Sequence, residues 1–212
     1  MQRTTFLIDG FNLYHSARAA SRDMGGVATK WLDIHSLCAS FLPLLGKKAR
    51  IENIYYFSAL AHHLSAVDPG KVLRHETYIK CLESKGIIKV LGRFKGKTIR
   101  CGACGARLNR NEEKETDVAI ATRLLEILIT ESSDTVLLVT GDTDLAPAVR
   151  TARTLFPSKK IGFLFPYRRK NRELANLAEL SFQIKKKKYA LHQFPDPFMM
   201  PDGKIIKKPA AW

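Results

Sequence analysis

The sequence predicts an α/β domain with a doubly wound, mainly parallel five-stranded sheet and helices on both faces. Short apolar runs alternate with stretches patterned for helices, the signature of strand–helix–strand units. The runs at residues 4–8 and 136–139 are β-branched or apolar at every position rather than alternating, as expected of strands covered on both sides. Each stops on acids, in Asp9-Gly10-Phe11-Asn12 and in Thr140-Gly141-Asp142-Thr143-Asp144. Open parallel sheets bind ligands at the carboxyl ends of their strands, so these acids predict one acidic crevice.

After the first strand, residues 11–20 read as a helix and 23–27 as a Gly-containing loop. Thr29 is the expected cap of a helix over 30–42, where Ile34, Cys38, Phe41 and Leu45 fall at helical spacing. Residues 51–59 form the second predicted strand, 69–85 a helix stopped by Gly86, and 87–91 the third strand. Residues 92–100 alternate around a glycine and predict a hairpin leading into a Cys pair, a basic insert over about 92–111 outside the sheet core. A helix over 112–131, a strand over 135–140, a helix over 144–156, a strand over 160–165 and a helix over 171–180 complete the alternation. Lys185–Lys188 and the Pro-containing stretch from Phe194 read as extended or disordered. The expected organisation is one domain over residues 1–190 and a basic tail over 191–212.

With 212 residues, 45% of them hydrophobic, the chain has the material for one packed domain. Lys and Arg number 35 against 20 Asp and Glu, a net charge of +15, which favours a polyanionic partner: nucleic acid first, an anionic membrane second. Residues 150–212 hold 15 basic and 4 acidic side chains, and residues 85–110 hold basic side chains and no acid. Cations set apart from a cluster of acids suit a surface that grips a phosphate backbone and cuts it with a bound metal. A solvated basic face is the plainer explanation of such blocks. Four cysteines do not make a secreted disulfide framework at this length. The apolar run at 6–8 is too short for a secretory signal, and no stretch is long enough to span a membrane, so a cytoplasmic protein is expected.

The carboxylates differ in how well a structural role accounts for them. On the predicted helix Asp117 steps to Ala121, Leu124 and Leu128, the apolar face, whereas Glu115 steps to a wetter one. Asp117 therefore points inward near one end of the sheet; Glu113 shares its phase at the frayed start of the helix and is a reserve candidate. A helix dipole would explain Asp117, an N-cap Asp144, and tight turns Asp142 and Asp9. One shared site explains all four at once. Carboxylate oxygens suit Mg²⁺ and Mn²⁺, which activate water and neutralise charge on a scissile phosphate. Asn12 is placed to orient a carboxylate or bind phosphate, and Thr140 adds a hydroxyl at the same rim. No His or Ser sits in a nucleophile setting, which favours metal-activated water over covalent catalysis.

Asp9-Gly-Phe-Asn12, Glu113-Lys-Glu-Thr-Asp117 and Thr140-Gly-Asp142-Thr-Asp144-Leu, in that order and spacing, resemble the NYN family, the LabA-like or DUF88 group of PIN-like nucleases. The resemblance runs from residue 4 to about 185 and takes in the Gly92-Arg-Phe-Lys95 segment and the Cys pair found in one bacterial branch. It implies a PIN-like fold, Mg²⁺- or Mn²⁺-dependent ribonuclease activity, and metal ligation by Asp9, Asp117, Asp142 and Asp144 with Asn12 in support. The preference for RNA over DNA comes from the resemblance alone.

Cys101-Gly-Ala-Cys104-Gly105 resembles one knuckle of a structural zinc site, which needs about four ligands. The others would come from Cys81, from His62, His63 or His75, or from a second copy of the chain in a homodimer. A Gly-rich turn with two free thiols is the plainer account. Arg93, Lys95, Lys97 and Arg100 on the hairpin, with Arg168, Arg169, Lys170 and Arg172 after the fifth strand, are the expected nucleic-acid contacts. Tyr189, Phe194 and Phe198 in the tail are candidates for stacking on single strands. The reading that follows is a metal-dependent ribonuclease acting on single-stranded RNA. Its rivals are a binding or adaptor protein with a vestigial acidic pocket, and a phosphatase, because Asp142-Thr-Asp144 resembles the acid pair of haloacid-dehalogenase-like enzymes. In those enzymes the pair ends the first strand; here it ends the fourth.

Overall fold

The computed structural model describes residues 2–212, and residues 108–110 by backbone alone. Its main sheet has seven strands: β1 (Gln2–Asp9), β2 (Ala49–Ala59), β3 (Ile88–Arg100), β4 (Arg107–Lys114), β5 (Thr135–Val139), β6 (Lys160–Phe165) and β7 (Leu180–Gln183). Across the sheet they run β4-β3-β2-β1-β5-β6-β7, all parallel except β4, which is antiparallel to β3. The helices are α1 (Gly10–Asp23), α2 (Ile34–Ala39), α3 (Gly70–Glu83), α4 (Thr116–Ile129), α5 (Ala146–Leu155), α6 (Arg172–Leu177) and α7 (Lys186–Leu191). A short antiparallel pair, β8 (Phe198–Met199) and β9 (Ile205–Ile206), follows them.

The continuous apolar runs are explained by two separate cores. Phe6, Ile8, Leu137 and Val139 face one core with residues of α1, α2, α3 and α7. Leu7, Val136, Leu138 and Phe163 face the other with residues of α4, α5 and α6. Successive residues of a strand point to opposite faces, so a strand covered twice must be apolar at every position. Each fully buried Leu or Phe contributes roughly 1.5–3 kcal/mol.

Five of the seven strands match the predicted ones, and the two extra strands are polar at their open edge. β4, Arg107–Lys114, has no apolar alternation and is held by its register on β3, from Arg93↔Lys114 to Arg100↔Arg107. Residues 92–100 therefore continue the sheet rather than forming an insert beside it: β3 pairs with β2 up to Ala59↔Gly92 and then with β4. The helix expected over 112–131 begins only at Thr116, because Glu112–Lys114 belong to β4 and Glu115 takes a left-handed φ of 79°. The last predicted helix stops at Leu177, and β7 follows.

Local capping also departs from expectation. Thr29 is buried and donates to the Ala17 carbonyl at 2.7 Å, while Asp33 caps α2 by accepting from the Ser36 N–H at 2.9 Å. α5 starts at Ala146, after a 3₁₀ turn over Thr143–Leu145 that Asp142, not Asp144, caps. The stretch expected to be extended or disordered is packed instead. Tyr189, Phe194 and Phe198 are buried, so they offer no rings for stacking on a strand. Trp212 meets Trp31 and Tyr78 at ring-centroid distances of 6.1 and 5.3 Å. The lysine run does not prevent this, because its heads reach polar partners while the stems lie on the core: Lys186 Nζ donates to the Asp23 carbonyl and Lys188 Nζ to Ser40 Oγ. No helix among the described residues is long and apolar enough to cross a membrane.

Candidate acidic site

β1 ends at Asp9, which is also the N-cap of α1, so strand and helix fix the carboxylate between them. Its Oδ1 accepts from the Asn12 backbone N–H at 2.9 Å, and Oδ2 accepts from Asn12 Nδ2 at 2.6 Å and from Thr140 Oγ1 at 2.8 Å. Burial pushes the Asp9 carboxyl up; these hydrogen bonds pull it back, and the nearby Asp142 charge adds to the rise. The next residue must be glycine: a Cβ on Gly10 would lie 2.6 Å from the Phe57 carbonyl oxygen.

β5 leads into Thr140, whose buried hydroxyl donates to Asp9 and accepts from the Asp142 N–H at 3.1 Å. Asp142 Oδ1 in turn accepts from the Asp144 N–H at 3.1 Å. Asp142 is half-buried and Asp144 exposed. Gly141 donates its N–H to Asn12 Oδ1 at 3.4 Å, and a Cβ there would stand 2.1 Å from the Arg169 carbonyl oxygen. Glycine at this position is thus what lets the loop after β6 close over the end of β5.

The third contribution comes from β4 and α4. Asp117, in the first turn of α4, is half-buried on the side of the buried Leu124 and Leu128. Burial pushes its carboxyl up to about 6, with the charges of Asp142, Asp9 and Asp144 adding to the rise. Glu113 is no frayed helix end. It is a half-buried strand residue whose carboxyl is pushed up to about 7, by burial first and by Asp9 and Asp117 besides, against a hydrogen bond from Thr116. Glu115 points outward and pairs with Arg93 at 2.7 Å. The site therefore gathers Asp9, Glu113, Asp117, Asp142 and Asp144, with Asn12 and Thr140 fastening two of the strand ends together.

Carboxyls raised by burial first and by one another second mark a site where negative charge is gathered away from solvent. All-oxygen donors of this kind fit a hard divalent ion such as Mg²⁺ or Mn²⁺. Among the described residues, though, no three His, Cys, Asp or Glu side chains converge closely enough to hold a metal ion as they stand. The fit is one of donor chemistry rather than of a finished cage.

The predicted cations fall on both sides of these acids. Arg93, Lys95, Lys97 and Arg100 lie on the half of β3 that projects past the carboxyl end of β2, and are exposed. The first three alternate onto one face and Arg100 lies on the other. They are partly neutralised: Arg93 by Glu115, and Lys97 by Glu112 at 3.9 Å across the hairpin. Arg168, Arg169, Lys170 and Arg172 are exposed beyond β6, with Arg168 paired to Asp23 at 2.9 Å. In the strand order, β2, β1 and β5 separate the two groups.

The Cys pair sits in the turn between β3 and β4. Backbone N–H groups of Cys104 and Ala103 lower the Cys101 thiol, as in a zinc knuckle. Cys81, one of the expected further ligands, is instead fully buried in the core, where burial pushes its thiol up to about 11. His75 meets Tyr56 and Ser58, and His63 packs on Phe94.

Sequence reasoning had Asp9, Asn12, Asp117, Asp142, Asp144 and the Thr140 hydroxyl, and the fold places them together. Glu113 was a reserve candidate because it reads as the frayed start of a helix, β4 having no strand pattern of its own, and Thr116, whose hydroxyl holds Glu113, carried no signal.

A mostly parallel sheet with helices around it and acids at its strand ends is consistent with the PIN-like α/β fold. Within that class the chain belongs to the NYN domain family, which it matches over residues 3–184. NYN domains are as a group ribonuclease-like hydrolases, so a nuclease-like function goes with membership. Among solved structures, a protein of unknown function, VPA0982 from Vibrio parahaemolyticus RIMD 2210633, is similar with a TM-score of 0.56 and 19% identity. The match covers 87% of this chain and 93% of that one, and it is a likeness of fold. MurG from Acinetobacter baumannii matches with a TM-score of 0.37 and 10% identity over 93% of this chain and 44% of its own. No curated protein matches the chain.

Proposed function

We propose that this protein is a metal-dependent endoribonuclease that hydrolyses phosphodiester bonds in single-stranded RNA. The observation that carries the reading is the five-carboxylate crevice at the ends of β1, β5 and the start of α4, in a chain of the NYN family. Asp9, Asp117 and Asp142 are the ligands assigned to Mg²⁺ or Mn²⁺, with Asp144 free to swing in from the rim. A bound ion of this kind supplies an activated water and offsets charge on the phosphate. Asn12 and Thr140 orient Asp9 through hydrogen bonds to both of its oxygens. The exposed Lys95, Arg169, Lys170 and Arg172 hold the RNA backbone, a contact that salt weakens. Cys101 and Cys104 contribute half of a zinc site, to be completed by a second copy of the chain.

The test is cleavage of a labelled single-stranded RNA with Mn²⁺, Mg²⁺ or EDTA, comparing the wild type with Asp9→Asn and Asp142→Asn purified in parallel. Metal-dependent cutting lost in both variants is the expected result. A folded wild type that binds RNA and never cuts it, or variants that cut as well as it does, would replace the nuclease with a binding or adaptor protein.

A further inference from the structure

Beside the acids, on the face of the sheet carrying α1 and α3, lies a cavity of about 490 Å³ that the reaction above does not use. Gly10 forms part of its wall, so it opens one residue from Asp9. Three features define its chemistry. Phe11, Phe94 and Trp212 present rings to it, with Phe11 and Phe94 edge to face at 5.7 Å. Among the described residues Arg18, Lys30 and Lys71 line it without a carboxylate partner, Lys30 donating to the Ala211 carbonyl at 3.2 Å, and Asp68, the one acid in the described lining, is taken by Arg74. Crowding of like charge is felt there: burial first, then Arg18 and Arg74, lower the Lys30 ammonium. At its inner end, Tyr56, Ser58 and His75 touch only at 3.5 and 3.4 Å, long for hydrogen bonds, so their polar atoms retain bonding capacity.

Rings that offer an apolar wall to a flat group, cations without a carboxylate partner and neutral polar atoms at the back describe a ligand with an aromatic base at one end and a phosphate at the other. We propose that this cavity is a nucleotide-binding pocket, with the base stacked among Phe11, Phe94 and Trp212 and read by Ser58 and His75, and the phosphate held by Arg18, Lys30 and Lys71. Its size is that of an ordinary small-ligand site. Burial holds the His75 imidazole low, at about 4, so it faces a base as a neutral donor and acceptor. One nucleotide of the RNA beside the scissile bond is the natural occupant if the nuclease reading holds; that identification rests on the reading, and the pocket does not.

The experiment is equilibrium binding in EDTA, where nothing is cut, of AMP, GMP, CMP and UMP to the full chain, followed by tryptophan fluorescence, with adenosine and ribose 5-phosphate as half-ligands. At least one monophosphate is expected to bind, each half-ligand more weakly. The Arg18→Ala/Lys71→Ala double variant, checked for an unchanged circular dichroism spectrum and melt, should lose about tenfold or more in affinity. Absence of binding by all four, or equal binding by a folded double variant, overturns the pocket. Competition with a short RNA separates the two sources: displacement of the RNA places a strand nucleotide in the pocket, and binding without displacement assigns it to free nucleotides. A protein that binds mononucleotides and cuts no RNA with any metal keeps the pocket and loses the nuclease.

Discussion

At the end of β1, Asp9 is 4% exposed and its oxygens accept three hydrogen bonds; at the end of β5, Asp142 is half-buried and Asp144 is in open solvent. Both ends follow the same sequence plan of an apolar run, a glycine and acids. The difference lies in what comes next. α1 begins directly after Asp9 and captures it as a cap, whereas β5 passes into a 3₁₀ turn before α5 and leaves its acids on a rim. One end thus supplies a fixed carboxylate that defines a position, and the other supplies carboxylates able to adapt to what arrives there.

That contrast is broken or sharpened by four measurements, taken from the largest expected effect down. In Mn²⁺-dependent RNA cleavage, Asp9→Asn should lower the rate by about a thousandfold, since several kcal/mol of charge stabilisation depend on it, and Asp144→Asn by only about tenfold. Equal losses would erase the distinction between anchor and rim. Thr140→Val removes the hydroxyl that joins the two ends, and calorimetric Mn²⁺ affinity should fall about 10–100-fold, the usual cost of losing a partner behind a metal ligand. Unchanged affinity would mean that Asp9 is held well enough by Asn12 alone.

The two glycines extend the comparison to stability. An added methyl at Gly10 meets the sheet backbone at Phe57, which cannot give, and urea unfolding of Gly10→Ala should show a loss of about 1–3 kcal/mol. At Gly141 the obstacle is also backbone, the Arg169 carbonyl oxygen at 2.1 Å, so Gly141→Ala should cost a similar amount of stability and, by displacing the Arg169 loop, RNA affinity as well. The smallest effect has the opposite sign. Without metal, Asp117→Asn removes a repelled, half-buried charge and should stabilise the fold by about 1 kcal/mol once solvent screening is allowed for. A destabilised Asp117→Asn in EDTA would mean that burial and repulsion do not make that charge costly to the fold.

The inner strands and the acids were legible in the sequence because each is announced by its neighbours. Strands covered twice are apolar at every position, and Asp117 lies in phase with Leu124 and Leu128. The edge strands were not, because β4 and β7 owe their shape to the partner they lie against rather than to a pattern of their own. Glu113 shares that fate: its place in the crevice depends on pairing with Phe94, a contact between segments that no local rule connects. The lysine-rich segment misled in another way. Its charge suggests solvent, yet Tyr189 needs only one face of a short helix to reach the core.

Of the seven strands of the sheet β1 is made before the other six and lies at the centre, with β5 as its neighbour through Thr4↔Thr135 to Ile8↔Val139. During synthesis it therefore waits with an open apolar edge for about 130 residues, on the order of ten seconds at ribosomal speed. Such edges invite wrong partners, and a holding chaperone has its natural target there. A nascent chain halted short of β5 carries Asp9, Glu113 and Asp117 but neither Thr140 nor Asp142, so the acidic site is assembled only once the second half of the sheet has been made.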